Sequence, residues 1–209
     1  MNVKVKRIKT PLKDELVKSL HMGDRVLLSG FVYTARDAAH ERMLKAIRQG
    51  DPPPFDLRGQ VIYYAGPAPA KPGAPVGSIG PTTSGRMDKY APVLIEMGLK
   101  GMIGKGKRSE PVIAAIKSHK AVYFGATGGA AALLAMKVKS SKVIAYEDLG
   151  PEAIYEILVE DFPLLVVTDS EGNDLYSLGP ENGLPLRRQR RTKGHEFKKR
   201  QPNDRTDLG

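Results

Sequence analysis

Strand-like and helix-like segments alternate along most of this chain, and that alternation restricts the possible folds more than any other feature. Apolar, β-branched runs typical of strands occur at 25–34, 60–65, 101–104, 121–124 and 142–146. Helical patterns of about ten residues follow most of these runs. Because helical connections join parallel strands, the sequence predicts an α/β fold with a mixed, largely parallel sheet flanked by helices.

Several element boundaries can be predicted as well. Residues 10–21 have the pattern of a helix, with Thr10 as N-cap and Pro11 in its first turn. Thr34 or Asp37 is suited to cap a second helix, and a third helical pattern covers about 87–97. Ser109 is suited to cap a fourth helix. The last two strands are predicted at 156–162 and 164–169, and hairpin-like strands near both chain ends make the sheet mixed.

The segment 80–88, with the sequence GPTTSGRMD, combines two glycines, three hydroxyl side chains and an arginine just before a helical pattern. A glycine-rich turn that leads into a helix presents unpaired backbone N–H groups, which attract anions. Arg86 adds a planar group that suits carboxylates and phosphates. The segment is therefore either a small-anion site or an ordinary polar turn that caps a helix.

Cations stand at three strand-to-helix junctions. Arg36 follows the strand 25–34, Arg86 follows a loop rich in proline and glycine, and Lys105 follows the strand 101–104. The carboxyl ends of parallel strands meet at one edge of a sheet, where α/β proteins bind ligands. Three cations there would hold the two carboxylates of one small substrate, whereas separated they would be solvated surface charges.

Other types of site have weaker support. The segment 80–85 has the glycine spacing of a phosphate loop, but Arg-Met follows where Lys and a hydroxyl residue are required. The run 125–129 lacks the full dinucleotide-binding pattern, and a tight strand-to-helix turn explains its glycines equally well. The four histidines lack metal-ligand spacing, and a chain without cysteine supplies no thiolate to a metal.

The basic charge is concentrated at the C-terminal end. Of the net charge of +10, the last 24 residues supply more than half, with nine Lys/Arg against three acids. These residues also lack apolar periodicity. We therefore expect a folded domain over 1–185 and a disordered basic tail over 186–209. The absence of cysteine favours a cytoplasmic protein. The longest uncharged run, 121–136, is too short to span a membrane, so no membrane partner is expected.

Five short motifs occur in a fixed order: TARDAAH at 34–40, GPTTSGRMD at 80–88, GKG at 104–106, GPEAI at 150–154 and VEDFP at 159–163. Together they resemble the β subunit, or C-terminal domain, of the iron–sulfur hydro-lyases, a family that includes class I fumarase and L-tartrate dehydratase. The resemblance covers roughly residues 5–178 and does not include the basic tail.

The resemblance implies a swivelling β/β/α domain that forms half of an enzyme. It implies a partner α subunit holding a [4Fe-4S] cluster through three cysteines, and a C4-dicarboxylate substrate to which water is added or from which it is removed. Arg36, Arg86 and Lys105 match the family's substrate-carboxylate ligands. Thr82 matches the residue proposed as the base at the C–H carbon, although an unaided hydroxyl is a poor base and Thr82 would then serve to position the substrate.

The sequence therefore predicts a hydro-lyase β subunit that is active only with its α subunit, with fumarate hydration as the reaction. L-Tartrate dehydration is the alternative within the family, because both substrates are dicarboxylates that need the same cations. A non-catalytic module that binds nucleic acid or an acidic partner through the tail is the alternative from another class. Nucleic acid is the less favoured partner, because Phe197 is the tail's only aromatic residue.

Overall fold

The computed structural model describes residues 5–126 and 130–178 and confirms the predicted α/β alternation. The strands are β1 (Val5–Lys9), β2 (Arg25–Thr34), β3 (Val61–Tyr63), β4 (Gly101–Gly104), β5 (Val122–Gly125), β6 (Val138–Ala145) and β7 (Ile154–Thr168). The α-helices are α1 (Asp14–Lys18), α2 (Asp37–Arg48), α3 (Ala91–Glu96), α4 (Glu110–His119) and α5 (Ala131–Ala135). Short 3₁₀ turns cover Ser84–Met87, Glu147–Glu152 and Leu175–Ser177.

The described strands form one sheet in the order β1-β2-β3-β4-β5-β7-β6, in which β7 also pairs with β2. Strands β1 to β5 run parallel to one another, and β7 is antiparallel to β2, β5 and β6. The mixed, largely parallel sheet is thus confirmed. The prediction of a hairpin at the N-terminal end is wrong, because β1 lies parallel to β2 and α1 connects the two.

Each face of the sheet has its own hydrophobic core, because successive side chains of a strand point to opposite faces. On β3, Val61 and Tyr63 belong to one core, and Ile62 belongs to the other. The second core is filled mainly by α2, α3 and α4, through residues such as Met43, Leu94 and Ile116. These helices fix the position of the turns that connect them to the carboxyl ends of the strands.

The helix predicted over 10–21 is shorter, and Thr10 does not cap it. The helix begins at Asp14, after Lys13, because residues 10–12 make backbone bonds to other parts of the chain. The Thr10 N–H donates to the Ser29 carbonyl at 3.0 Å, and the Leu12 N–H donates to the Gly59 carbonyl at 2.7 Å. These bonds hold residues 10–12 beside the sheet, so the N–H groups of Thr10 and Leu12 are bound outside the helix.

The helix predicted over 87–97 is split into the 3₁₀ turn 84–87 and α3. Pro92 stands at the start of α3 and has no N–H to donate to Asp88, so an α-helix cannot continue backwards through this point. The predicted cap of α2 is also wrong, because Arg36 and not Thr34 or Asp37 holds its N-cap position. Ser109 does hold the predicted N-cap position of α4, but its side chain makes no capping bond.

The two strands predicted at 156–162 and 164–169 form the single strand β7. The pairing with β2 shifts register opposite Ser29, and the Asp161 N–H donates to Ser29 Oγ at 3.0 Å. A bulge of this kind absorbs extra residues without ending the strand, so Pro163 follows it within the same β7.

Two predictions cannot be compared with the fold. The proposed basic tail at 186–209 lies outside the described residues, as do 127–129 of the glycine-rich run after β5. Within residues 5–126 and 130–178, no helix has both the length and the apolar character needed to cross a membrane.

Candidate functional site

The candidate site lies at the edge of the sheet where the parallel strands β2, β3 and β4 end. Arg36 follows β2 by two residues, and Lys105 follows β4 directly. Because these strands are parallel neighbours, both cations stand at the same edge of the sheet. Arg36 is half-buried and Lys105 is exposed.

The segment 82–84 lies between the ends of β3 and β4. The Thr82 N–H donates to the Tyr64 carbonyl at 2.7 Å, just after β3. Thr83 forms a parallel bridge with Lys105, and the Ser84 N–H donates to the Lys105 carbonyl at 2.9 Å. The segment therefore extends the sheet at this edge and places the half-buried Thr82 next to the loop that carries Lys105.

Arg86 is joined to the first turn of α2. Its Nε donates to Asp37 Oδ1 at 2.9 Å, and its Nη2 lies 2.8 Å from Asp37 Oδ2. The first contact is a hydrogen bond and the second is a close ion-pair contact, and together they hold the guanidinium beside Asp37 while half of the side chain stays exposed. Since Asp37 is the neighbour of Arg36, the contact also brings the two arginine-bearing segments together.

Arg36 is held less tightly than Arg86. Its Nη2 lies 3.6 Å from Glu152 Oε1, and Glu152 also accepts the Ala38 N–H at 3.0 Å. The Arg36 Nε is buried, and no acceptor within the described residues bonds it. Gly66 leaves room for this side chain, because a methyl group there would lie 3.2 Å from Arg36 Cδ. Arg36 therefore retains hydrogen-bonding capacity for another acceptor.

His40 lies directly behind Arg36 and is completely buried. Its Nδ1 is 2.8 Å from the Arg36 carbonyl, which only accepts, so Nδ1 carries the proton. The ring packs against Tyr64 and Tyr90, with centroid distances of 5.4 and 5.7 Å. Burial lowers the pKa of His40 to about 4, so the ring is neutral at pH 7. His40 is thus a packing residue that fixes the backbone of Arg36.

The buried His40 makes the folded chain sensitive to acid. Below its ordinary pKa of 6.5 the unfolded chain binds a proton at this ring, whereas the folded chain does so only near pH 4. Stability therefore falls as the pH drops through this window, by about 2 kcal/mol between pH 7 and pH 5. Urea unfolding at both pH values measures the loss, and His40→Leu should remove most of it. The exposed His119, changed to Gln, should leave it unchanged, and an equal loss in all three proteins would contradict the assignment.

Sequence reasoning missed the two carboxylates that organise the arginines. Asp37 adjoins Arg36 in the sequence, and Glu152 lies within the motif at 150–154. Both carboxylates lie at the start of α2, where unpaired backbone N–H groups favour negative charge: Asp37 is the first residue of the helix, and Glu152 accepts the Ala38 N–H. The adjacent Arg-Asp pair was the available signal, but it did not show that Asp37 binds Arg86 instead of its neighbour.

The four residues predicted for the site thus stand on segments that meet at one edge of the sheet, and the edge carries more positive than negative charge. Arg36, Arg86 and Lys105 supply three cations, and among the described residues the carboxylates that contact them are Asp37 and Glu152. Thr82 supplies a hydroxyl on the middle segment. Such a site is chemically suited to a small dianion, whose carboxylates need fixed cations.

The residues of this chain do not fit an iron–sulfur cluster. The sequence contains no cysteine, and thiolates are the usual ligands of such clusters. Within the part of the chain that the structure describes, no group of three or more His, Asp or Glu side chains is placed to hold a metal ion.

Comparison with known proteins places this arrangement in a family. A model of the family described as Fumarase C-terminus matches residues 1–179. "Fumarate hydratase 2" of Leishmania major is 43% identical over 158 residues, which is 75% of this chain and 28% of that protein. "Fumarate hydratase class I, anaerobic" of Escherichia coli (strain K12) is 41% identical over 170 residues, which is 79% of this chain and 31% of that protein.

A third relative has a size similar to this chain. "Putative L(+)-tartrate dehydratase subunit beta" of Methanocaldococcus jannaschii is 40% identical over 166 residues, or 77% of this chain and 85% of that protein. The chain thus spans less than a third of the two fumarate hydratases but most of the subunit. Because the family model covers all but the last 30 of the 209 residues, this chain belongs to the Fumarase C-terminus family.

Proposed function

We propose that this chain is the β subunit of a hydro-lyase that reversibly hydrates fumarate to malate, at a site completed by a partner α subunit. The gathering of Arg36, Arg86, Lys105 and Thr82 at one edge of the sheet is the observation that carries the proposal. Membership of the Fumarase C-terminus family and the names of the two fumarate hydratase relatives support the same reaction.

The three cations bind the two carboxylates of the substrate in this proposal. Asp37 contacts Nε and Nη2 of Arg86, so Nη1, which no other described residue binds, would donate to a substrate carboxylate. Arg36 contributes the second guanidinium, and the exposed Lys105 adds a point charge. Fixed cations on both sides of a planar dicarboxylate would orient its double bond relative to Thr82.

Thr82 lies beside the carbon that exchanges a proton in this proposal. Its backbone is fixed by the bond to the Tyr64 carbonyl, so its hydroxyl starts from a defined position at the sheet edge. A threonine hydroxyl keeps its proton near neutral pH, and without help it is a poor base. This favours a role for Thr82 in positioning the substrate and relaying its proton.

The [4Fe-4S] cluster of this enzyme type belongs to the α subunit in this proposal. The composition of the present chain supports that division, because it has no cysteine. The chain supplies the residues that bind, orient and exchange a proton with the substrate, and the partner supplies the metal centre. Two half-sites of this kind have no activity apart.

L-Tartrate dehydration is the second candidate reaction. It is favoured by one observation: the tartrate dehydratase subunit is a separate chain of which the match covers 85%, whereas the fumarate hydratases are far longer than this chain. The same three cations would bind the carboxylates of tartrate, so the residues at the sheet edge serve both reactions.

Reconstitution tests the proposed function and separates the two substrates. The chain is co-expressed with its α partner, purified without oxygen, and assayed for fumarate hydration and for L-tartrate dehydration. We expect turnover of fumarate by the complex and none by either subunit alone. A complex with an intact cluster that turns over neither substrate would contradict the proposal, as would hydration by the isolated, iron-free chain.

A further inference from the structure

We propose that a buried polar cluster positions the residues of the candidate site without touching the substrate. This cluster, called here the Arg108 cluster, consists of Tyr64, Ser84, Asp88, Arg108 and Tyr123. It joins the segment 82–88 to the loop 105–109, and these two segments carry Thr82, Arg86 and Lys105. The inference rests on the proposed function, because exact placement of the two segments matters only if they bind one substrate together.

The ion pair between Arg108 and Asp88 is the first connection. The side chain of Arg108 is fully buried, and its Nε donates to Asp88 Oδ1 at 2.7 Å. The second carboxylate oxygen, Oδ2, accepts the Ser109 N–H at 2.6 Å. A carboxylate that ends one segment therefore binds both a side chain and the backbone of the other segment.

Two tyrosine rings enclose the guanidinium of Arg108. Its central carbon lies 5.2 Å from the ring centre of Tyr64 and 5.0 Å from that of Tyr123. Both terminal nitrogens lie 3.4 Å from Tyr64 Oη. Burial opposes the charge, but Tyr64 and Asp88 outweigh it and raise the pKa of Arg108. The cation is thus held in one plane from three sides.

Tyr123 makes the second connection between the two segments. Its hydroxyl donates to the Gly106 carbonyl at 2.9 Å and lies 2.9 Å from Ser84 Oγ. Because the carbonyl only accepts, the Ser84 hydroxyl must donate to Tyr123 Oη. The Ser84 side chain rests on Gly104, where a methyl group would overlap Ser84 Oγ. One tyrosine hydroxyl therefore links Ser84 to the turn that follows Lys105.

Stability alone is a poor explanation for this cluster. A buried ion pair loses its hydration, and apolar side chains of similar volume often stabilise a fold equally well. The pair does have directional bonds, which fix two segments in a way that apolar contacts do not. The bonds described above either join the two segments that carry the site residues or connect Arg108 to Tyr64, which directly follows β3. The arrangement is that of a positioning device for Thr82, Arg86 and Lys105.

The variant Tyr123→Phe tests the positioning role with the mildest change, since the ring stays on Arg108 and only the linking hydroxyl is lost. Tyr33→Phe is the matched control, because its hydroxyl binds Glu156, at 3.0 Å, outside both segments. Both variants are assayed in the complex with the α subunit and unfolded in urea. We expect kcat/KM to fall about tenfold or more in Tyr123→Phe and to stay within about twofold in Tyr33→Phe.

Arg108→Lys provides a second variant that keeps the charge and loses the planar group. We expect kcat/KM of the complex to fall about a hundredfold, with a smaller effect on KM than on kcat if orientation is what is lost. Unfolding in urea shows whether the variant is folded. A folded Arg108→Lys or Tyr123→Phe protein with the activity of the Tyr33→Phe control would overturn the proposal.

Hydrogen exchange on the isolated chain tests the cluster independently of activity. The Ser84 and Ser109 amides are bonded across the two segments, to Lys105 and Asp88. We expect both amides to exchange about tenfold faster in Tyr123→Phe, and amides in the centre of β2 to be unchanged. Equal exchange in the wild type and the variant would overturn the proposal. An inactive wild-type complex would contradict the proposed function, and the exchange data would still decide the role of the cluster.

Discussion

Replacing Arg86 by alanine is expected to lower kcat/KM of the assembled enzyme on the order of a thousandfold while leaving the chain folded. The side chain is half exposed, so the fold loses little packing when it is removed. In the proposed function, in contrast, the substrate loses a cation that is held in place by the contacts with Asp37 at 2.9 and 2.8 Å. Steady-state kinetics on the complex and urea unfolding of the chain measure the two effects separately.

Arg42 provides a close control for the Arg86 variant. It lies on α2, the helix whose first residue contacts Arg86, and it makes a two-point ion pair with Asp148 at 2.7 and 2.8 Å. Its partner lies in the turn 147–152, and Arg42 is not among the proposed substrate ligands. Arg42→Ala should therefore keep kcat/KM within about twofold, as exposed ion pairs contribute little. Equal activity losses in the two alanine variants, or unfolding of Arg86→Ala alone, would assign Arg86 a structural role.

The positions of Arg36 and Lys105 could be predicted because they depend on local pattern alone. Each residue follows a run that is visibly strand-like, and parallel strands necessarily end at a common edge. The register of β2, β3 and β4 then places both residues there. The same reasoning located the segment 80–88 as a turn before a helix, although it placed the start of α3 four residues too early.

The partners of these cations could not be predicted, since they depend on tertiary structure. Asp37 binds Arg86 across 49 residues of sequence, and Asp88 binds Arg108 across 20. In the sequence Arg108 is one member of the basic run KGKR at 105–108, yet its side chain is fully buried between two aromatic rings. The sequence of a basic run does not show whether its side chains face water or a buried carboxylate. Only the packing of the folded chain distinguishes an exposed charge from a buried one.

Tertiary bonds also explain the boundary errors. Residues 10–12 have a good helical start in sequence, but their N–H groups bind the Ser29 and Gly59 carbonyls instead. Local propensity amounts to a fraction of a kcal/mol per residue and yields to such bonds. Ser109 holds the expected N-cap position of α4, but its hydroxyl makes no capping bond and its N–H binds Asp88 of the other segment. At both places the chain departs from its local preference in order to connect separate segments.

Replacing Lys105 by methionine is expected to lower kcat/KM of the complex about a hundredfold, because the loss of a fixed cation weakens the hold on a substrate carboxylate. Methionine has nearly the length of lysine, and the backbone bonds of Lys105 to Thr83 and Ser84 do not involve its side chain. The loop should therefore keep its shape, and the loss should reflect charge alone. Lys107 is the natural comparison, since it is also an exposed lysine of the same loop, two residues away.

We expect Lys107→Met to retain kcat/KM within about twofold, because a solvated surface charge contributes little at a distance from the substrate. The contrast between these two variants separates a ligand from a general electrostatic attraction of the basic loop. If the loop merely attracted dianions, both substitutions would reduce the rate of association alike, and both losses would shrink together as the salt concentration rises. A loss confined to Lys105→Met, and persisting at high salt, requires direct contact between this ammonium group and the bound substrate.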